Sequence, residues 1–420
     1  MADETAAAPE TDYSLANPDT LTKYKTAGQI SQKVLETVSG WCTEGAKILD
    51  ICQRGDKLLE EEVGKVYKGK KITKGFGHPT TVSPSSYITP YTPLVSDSEE
   101  AERTLKAGEV VKVQLGAQID GFGTIVCDTV IVGGEAQNGT SAERQADLLL
   151  ATYYANELLL RLIVPAGLLA TGTEEEKKKA QTAAKSYTQS KIGQLLEKVA
   201  KAYDCNIVEN TTSWLFDRND IESKKKIILS PGDGVKGDGL PEVGEVWGLE
   251  VGLSLGSGKV KNLPDRATLH RRTATTYGLK RPSSRATLSE IVKKFGTFPF
   301  SLRQLEDERA GKVGVVECVR GGVVRQYEVI GDKDGEPVSR LFTTIAVTKN
   351  GVTKLASPPA LETAKYKTSK KITDEEILKI LEQPIAKPSN TKPKNKKKKK
   401  KPVKKAEAAA EESEDDSDDE

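Results

Sequence analysis

The 420-residue sequence is poor in cysteine and histidine. Its five cysteines are scattered without a C-x-x-C pair, which argues against a disulfide scaffold and against a cysteine-ligated zinc. It contains only two histidines, His78 and His270. The small, odd number of scattered cysteines predicts a protein of a reducing compartment.

Long apolar runs and a secretory leader are also lacking. The most apolar stretch, 158–164, is far shorter than the roughly 20 residues that a membrane-spanning helix needs, and Arg161 interrupts it. The amino terminus is acidic and rich in small residues, whereas a signal peptide begins with basic residues followed by an apolar core. We therefore expect no membrane contact and a cytoplasmic or nuclear location.

A formal net charge of +2 conceals two segments of opposite sign at the carboxyl end. Residues 387–405 contain 11 lysines and no acidic residue, and residues 406–420 contain 9 acidic residues and no basic one. The remaining residues, 1–386, carry 52 basic and 52 acidic side chains. We expect disorder in residues 1–17 and in the tail, 387–420, on either side of one folded domain over 18–386.

Apolar periodicity predicts a mixture of helices and strands. Helical spacing predicts helices beginning at Asp19 and Thr43, and period-2 alternation predicts strands over 111–119 and 125–132 joined by an Asp120-Gly121 turn. Further helices are expected over 140–162, 192–203, 289–295 and 374–381, the last with Thr373 as N-cap. Further strands are expected over 245–255, 313–319, 326–330 and 340–347. Between these elements we expect an exposed lysine-rich stretch over 174–185 and a loop over 230–244. Because strands and helices do not alternate strictly, the pattern indicates an α+β fold.

Several short motifs occur in order along the chain: EVVKVQLG (109–116), DGF (120–122), YGLK (277–280), SR (284–285), FPF (298–300) and GVVEC (314–318). Together they resemble the proliferation-associated protein and curved DNA-binding protein family, which is related to type 2 methionine aminopeptidase. The resemblance extends over roughly residues 18–360. It implies the pita-bread fold, in which two similar α+β halves surround one curved sheet, with a small subdomain inserted near 265–310.

The resemblance also identifies where a metal site would lie. Active relatives bind two divalent metals through two Asp, one His and two Glu, and a bridging water becomes the nucleophile. Only one of the matching positions keeps a carboxylate, and the position of the substrate-binding histidine matches Pro90. The resemblance therefore implies a degenerate site without metal, cofactor or catalysis. The five matching positions are Gln114, Ile125, Trp214, Glu250 and Phe342.

The hairpin register gives an independent view of these positions. If Asp120 and Gly121 form a two-residue turn, residue 114 pairs with residue 127, and Gln114 and Ile125 share one sheet face. Asp128, the nearest acid, then faces the opposite side. We interpret the remaining carboxylate, Glu250, as an ordinary strand residue with a polar partner.

The lysine-rich segment of the tail predicts a polyanionic partner. Its charges repel one another and bury nothing, whereas contact with RNA or DNA releases condensed counterions. Nuclear import and a purely solubilising role are the alternatives. The predicted nucleic-acid-binding lysines are Lys392, Lys394, Lys396, Lys397, Lys398, Lys399, Lys400, Lys401, Lys404 and Lys405.

The acidic end of the tail suggests a regulator of this binding. Ser413 and Ser417 each have an acidic residue three positions later, which is typical of sites for acidophilic kinases. Phosphorylation adds negative charge, so the acidic segment would compete more strongly with nucleic acid for the lysines. An inert acidic cap is the alternative.

A second basic cluster lies within the folded body. Arginines with an interleaved aromatic residue, here Tyr277, suit phosphate and base contacts in RNA. The resemblance implies that this region faces the large ribosomal subunit near the peptide exit, whereas a solvated charged face is the alternative. The cluster consists of Arg271, Arg272, Lys280, Arg281 and Arg285.

These features together predict a non-catalytic, peptidase-like protein of the nucleus, nucleolus and cytoplasm. Its expected partners are RNA and the large ribosomal subunit or its precursor, and its expected role is in ribosome biogenesis or translation. A chromatin-associated protein that binds curved DNA is the alternative, because nonspecific phosphate contacts serve DNA as well as RNA. An active metallo-aminopeptidase is the third hypothesis, opposed by the missing ligands.

Overall fold

Two amino-terminal helices open the computed structural model, which describes residues 12–133 and 140–388. Helix α1 (Pro18–Ser39) begins where its apolar spacing predicts, and the side chain of Asn17 caps it. Helix α2 (Ile48–Lys65) starts later than its expected beginning at Thr43. No side chain caps this start, where Lys47 is the N-cap residue, and the first two residues of α2, Ile48 and Leu49, are buried.

The other elements confirm an α+β architecture. The remaining helices are α3 (Ser98–Ala101), α4 (Thr140–Leu162), α5 (Glu174–Ala183), α6 (Gln189–Ala202), α7 (Pro282–Lys294), α8 (Glu308–Arg320) and α9 (Glu375–Leu381). The strands are β1 (Lys74–Pro84), β2 (Val110–Ile119), β3 (Phe122–Gly123), β4 (Val126–Ile131), β5 (Asn206–Ile207), β6 (Thr211–Phe216), β7 (Lys226–Leu229), β8 (Val246–Ser254), β9 (Val260–Asn262), β10 (Leu269–Arg272), β11 (Phe300–Ser301), β12 (Val324–Gln326), β13 (Ile330–Asp332), β14 (Val338–Thr348) and β15 (Gly351–Ala356). Among the described residues, no helix has the length and apolarity needed to cross a membrane.

One antiparallel sheet organises the chain. Its strand order is β1-β2-β4-β14-β8-β6-β7, and β3, β15 and β5 pair with β2, β14 and β8. Strand β14 lies in the middle, between β4 of the first half and β8 of the second. Residues far apart in the sequence therefore meet at the centre of the sheet.

Helices cover both halves of the sheet. Helices α1 and α2 pack on β2 and β1, and α4 packs on β8 and β14 beside α6. The odd-numbered apolar residues of β2 share a buried cluster with α1 and α2, and this leaves Gln114 for the other face. Helix α9 docks on α4 through the fully buried Ile377 and nearly buried Ile380.

The segment between β9 and β13 contains its own small sheet, and many of its buried residues join the core cluster of α1 and α2. Strands β11, β10 and β12 make a three-stranded sheet, and α7 packs against α8. The predicted strand over 313–319 is wrong, because these residues belong to α8, which Asp307 caps. The valines of this segment favoured a strand, but two of them, Val313 and Val316, are exposed. The buried residues follow helical spacing; they are Gly311, Gly314, Val315 and Cys318.

Other boundaries also differ from expectation. Residues 326–330 do not form one strand, since β12 ends at Gln326 and β13 begins at Ile330. Helix α7 begins at Pro282, well before the expected 289, and Asp374 rather than Thr373 caps α9. The exposed lysine-rich stretch contains α5, a helix that the sequence did not indicate.

Candidate functional site

The hairpin that positions the first two candidate residues has the predicted register. Asp120 and Gly121 have φ values of 58° and 81°, as a two-residue turn of this kind requires. Gln114 pairs with Cys127, so the predicted register is confirmed. Partial burial acts to raise the pKa of Asp120, but Lys23 and Arg218, at 2.7 and 2.8 Å, outweigh it and lower that pKa. These ion pairs hold the turn.

The five positions that match metal ligands lie around one cleft, which Pro90 also lines and whose volume is about 440 Å³. Gln114 comes from β2, Ile125 directly precedes β4, and the other three lie on β6, β8 and β14. The β14–β8 pairing brings Phe342 opposite Glu250, 92 positions earlier in the chain. Side chains from both halves of the sheet therefore converge here, as the resemblance implies.

A buried arginine, Arg340, lines the cleft beside the candidate positions. Arg340 lies two residues before Phe342 on β14, so both side chains point to the same face. Its Nη2 lies 2.6 Å from Glu250 Oε1, and its Nε donates to the same oxygen at 2.8 Å. Nη2 also donates to Gln114 Oε1 at 3.3 Å, and Nη1 donates to the carbonyl oxygen of Ile88. One guanidinium thus joins two of the candidate positions and neutralises the remaining carboxylate.

His78 is a cleft residue that the sequence did not reveal. Its Nε2 lies 3.1 Å from Gln114 Nε2, and its Nδ1 lies 2.7 Å from the carbonyl oxygen of Pro79. Because Nδ1 then donates to Pro79, Nε2 is free to accept from the amide. Burial lowers the pKa of His78 to about 4, so the ring is neutral at physiological pH. The pairing of β1 with β2 shifts register on both sides of His78, so sequence alternation could not predict that His78 faces the cleft.

Apolar side chains complete the cleft. Ile125 and Phe342 are 3% and 5% exposed, and the Phe216 and Phe342 rings lie 6.2 Å apart. Within residues 12–133 and 140–388, no group of three or more His, Cys, Asp and Glu is arranged to hold a metal ion. The arrangement suits an apolar group or a neutral amide better than it suits divalent cations.

The members of the predicted basic cluster differ in whether they form ion pairs. The Arg271 side chain is only 14% exposed, and it lies 3.0 Å from Asp220 and 3.7 Å from Glu222. In this structure the Arg271 charge is paired with carboxylates, so a phosphate contact at Arg271 would require one of these ion pairs to open. The other members, Arg272, Lys280, Arg281 and Arg285, form no ion pair with any described residue.

Lys280, Arg281 and Arg285 lie at the start of α7, whereas Arg272 is the last residue of β10. Lys280, Arg281 and Arg285 are exposed, and Arg272 is half-buried at the end of β10. Arg285 Nη1 donates to the carbonyl oxygens of Leu279 and Lys280, which fixes its position without neutralising its charge. The predicted tail lysines, Lys392 to Lys405, and both serines, Ser413 and Ser417, lie outside the described residues.

Known proteins share this fold and sequence. The model of metallopeptidase family M24 matches residues 22–204. The curved DNA-binding protein of Schizosaccharomyces pombe is 38% identical over 92% of this chain and 95% of its own length. Proliferation-associated protein A of Dictyostelium discoideum is 33% identical over 83% of this chain and 84% of its own length.

Solved structures agree. The structure of a thermophilic Arx1 has a TM-score of 0.84 and 68% identity, covering 88% of this chain and 100% of that chain. A methionine aminopeptidase of Thermotoga maritima has a TM-score of 0.50 at 16% identity, which supports the fold alone, over 81% of this chain and 98% of that chain.

The sheet, its helices and the cleft define a protein with the pita-bread fold. Within that class, the chain belongs to the M24 peptidase family, in the group that contains the curved DNA-binding and proliferation-associated proteins.

Proposed function

We propose that this protein is a non-catalytic, peptidase-like protein that binds the large ribosomal subunit or its precursor and RNA, in ribosome biogenesis or translation. It acts in the nucleus, nucleolus and cytoplasm. The observation that best supports the absence of catalysis is the ion pair between Arg340 and Glu250, whose atoms lie 2.6 Å apart. A guanidinium beside the remaining carboxylate repels divalent cations and uses the oxygen that a metal would need.

The first experiment tests the absence of metal chemistry. The purified chain is incubated with Mn²⁺ or Co²⁺, dialysed and analysed for bound metal by mass spectrometry, and its cleavage of methionyl peptides is assayed in parallel. We expect less than one ion per chain and no cleavage. Two stoichiometric ions together with cleavage would establish the active aminopeptidase instead. An active methionine aminopeptidase treated in the same way is the control.

A basic surface on the folded body supports the nucleic-acid part of the proposal. It consists of Arg272, Lys280, Arg281 and Arg285, none of which forms a side-chain ion pair within the described residues. The Glu317 carboxylate accepts from the backbone N–H groups of Lys280 and Arg281 and attracts the charge of Arg281. Unpaired surface cations release counterions from RNA at little cost, because no ion pair has to break first. We propose that the inserted subdomain near 265–310 presents this surface, and that the tail lysines add affinity that depends on salt rather than on sequence.

Sedimentation with purified large ribosomal subunits tests this surface. A variant with Arg272, Lys280, Arg281 and Arg285 changed to Ala is compared with a control that loses four exposed lysines elsewhere, namely Lys178, Lys179, Lys224 and Lys349. We expect the first variant to lose binding and the control to keep it. Each lost phosphate contact lowers the slope of log affinity against log salt by about 0.7 to 0.9. Equal losses in the two variants would mean that total charge, and not this surface, determines binding.

The tail is tested separately with a chain that ends at residue 387, where the compact unit ends. This truncation is expected to bind more weakly at every salt concentration and still to prefer ribosomal subunits over free RNA. If it fails to bind at moderate salt while the full chain binds, the tail is the principal contact. If neither chain binds, the ribosomal proposal fails.

A second candidate function is binding of curved duplex DNA, favoured by the name of the relative that is 38% identical. The same unpaired arginines and lysines can contact either polyanion. Competition separates the two functions. Ribosomal subunits displace a labelled bent duplex under the first proposal, whereas excess subunits leave the duplex bound under the second.

A further inference from the structure

A second cavity lies on the opposite side of the sheet from the cleft. We call it the rear cavity. Its volume is about 590 Å³, within the usual range for small-molecule sites, and it shares no lining residue with the cleft. It is enclosed by β4, β14, β15, α4 and the segment 357–366. Ser339 and Leu341 of β14 face it, whereas the alternate residues Arg340 and Phe342 face the cleft.

An unpaired carboxylate lies in the rear cavity. Asp128 accepts one hydrogen bond, from the backbone N–H of Thr129 at 2.8 Å, and forms no ion pair with any residue in the described ranges. A carboxylate ordinarily accepts several hydrogen bonds, so most of its capacity is unused. Burial raises the pKa of Asp128 to about 7, as expected for a carboxyl group without compensating charge.

Two further polar side chains of the rear cavity have no partner. The Oδ1 of Asn156, on α4, and the Oγ of Ser339, on β14, are buried without a hydrogen bond to any described group. These residues are 4% and 0% exposed. Buried polar atoms almost always have partners, and an exception requires a physical explanation. Both residues belong to the wall of the rear cavity beside Asp128, and their unpartnered oxygens are buried within that wall.

Each of the other charged groups of the rear cavity already has a partner of opposite charge. Glu157 pairs with Arg161 and Lys354 at 2.8 and 2.9 Å, and Lys365 pairs with Glu362 at 3.0 Å. Apolar walls come from Leu149, Leu341, Pro358 and Leu361. Besides Asp128, the titratable side chains that line the cavity are Tyr153, Glu157, Lys354, Glu362, Lys365 and Tyr366.

We propose that the rear cavity binds a small organic cation, in which an ammonium or amidinium group is carried on an apolar or aromatic body. The cationic group donates to the Asp128 carboxylate, which keeps most of its hydrogen-bonding capacity unused. The apolar body lies against Leu149 and Leu341. An anionic ligand is excluded, because it would face an unpaired carboxylate in a buried setting.

Calorimetric titration of the full chain with benzamidine tests the proposal. Benzamide, which is neutral and nearly the same shape, is the matched ligand. We expect benzamidine to bind, benzamide to bind about tenfold or more weakly, and Asp128→Asn to weaken benzamidine binding by a similar factor, as loss of a charge-assisted hydrogen bond predicts. Asp50→Asn, which removes an exposed carboxylate of α2, is expected to leave the affinity unchanged.

Two further measurements guard against a merely structural effect of the substitution. Leu149→Trp fills the cavity while keeping Asp128, and it should abolish binding; circular dichroism confirms that each variant is folded. The affinity of the wild type for benzamidine should rise between pH 6 and 8 as Asp128 ionises, and Asp128→Asn should remove this rise. No binding at millimolar benzamidine, equal affinity for benzamide, or an Asp128→Asn variant that binds as tightly as the wild type would overturn the proposal.

Discussion

Replacing Arg340 with Met should destabilise the protein strongly. The Arg340 side chain is 6% exposed and donates to Glu250, Gln114 and the carbonyl oxygen of Ile88. Methionine has a similar length but no donor, so the Glu250 carboxylate would lose its counterion. Breaking one side of a buried ion pair costs about 3–5 kcal/mol. Because Glu250 is 18% exposed to the cleft and water can reach it, we expect about 3 kcal/mol, the low end of that range.

The double variant Arg340→Met/Glu250→Leu isolates the interaction. It removes both charges, so no unpaired ion remains, and replacing a buried pair with apolar residues is often nearly neutral. We expect the double variant to be only about 1 kcal/mol less stable than the wild type, and thus more stable than Arg340→Met alone. Glu250→Gln is the intermediate case, since its amide oxygen still accepts from Arg340, and it should cost about 1–2 kcal/mol.

Urea unfolding at pH 7, followed by tryptophan fluorescence and circular dichroism, measures these differences. The midpoints are compared at equal denaturant dependence, because a changed slope would indicate a changed denatured state. If Arg340→Met is within 1 kcal/mol of the wild type, the guanidinium is not holding the centre of the cleft. If the double variant is no more stable than the single one, the two charges are not coupled.

Three other perturbations test separate parts of the fold. Burial lowers the pKa of His78 to about 4, so as the pH falls the unfolded state binds a proton at a higher pH than the folded state does. The free energy of unfolding should therefore fall by on the order of 3 kcal/mol from pH 6.5 to 4. In urea titrations, His78→Gln should reduce this pH-dependent loss. Asp56→Ala should cost about 3–5 kcal/mol in the same assay, because Arg303, at 2.7 Å and 3% exposed, loses its counterion. A Cβ at Gly28 would lie 2.0 Å from a backbone oxygen of β15, so Gly28→Ala should lower the free energy of unfolding by about 3 kcal/mol. A Cβ at Gly64 would meet no atom within 4 Å, so Gly64→Ala should stabilise α2 by up to about 1 kcal/mol. Equal effects of the two glycine substitutions would contradict the close approach of α1 to β15.

Local patterns predicted the features that depend on neighbouring residues. The Asp120-Gly121 dipeptide determines a two-residue turn, and the turn determines that residue 114 pairs with 127. Helical spacing similarly predicted α4 with its observed bounds, 140–162. The same reasoning failed in α8, where a run of valines suggested a strand, because intrinsic strand preference is weaker than the burial of one helical face.

Contacts between distant segments could not be read in this way. The pairing of Arg340 with Glu250 depends on the register between β14 and β8, which are about 90 residues apart. The place of His78 beside Gln114 depends on irregular pairing in β1, and Arg271 turned out to face Asp220 on another segment. Each of these contacts is decided by how the two halves of the sheet close around the cleft.

The sequence by itself determined the α+β class, the hairpin register and, through the family resemblance, the five positions that line the cleft. Those properties follow from the period of apolar residues and from turn chemistry, which act over a few residues. Only the tertiary structure decided that the Arg340 guanidinium lines the cleft, that Arg271 pairs with Asp220, and that Asp128 lies without an ion pair in the rear cavity. The reason is that charge pairing and burial are set by side chains brought together from distant strands, and no local pattern encodes which partners meet.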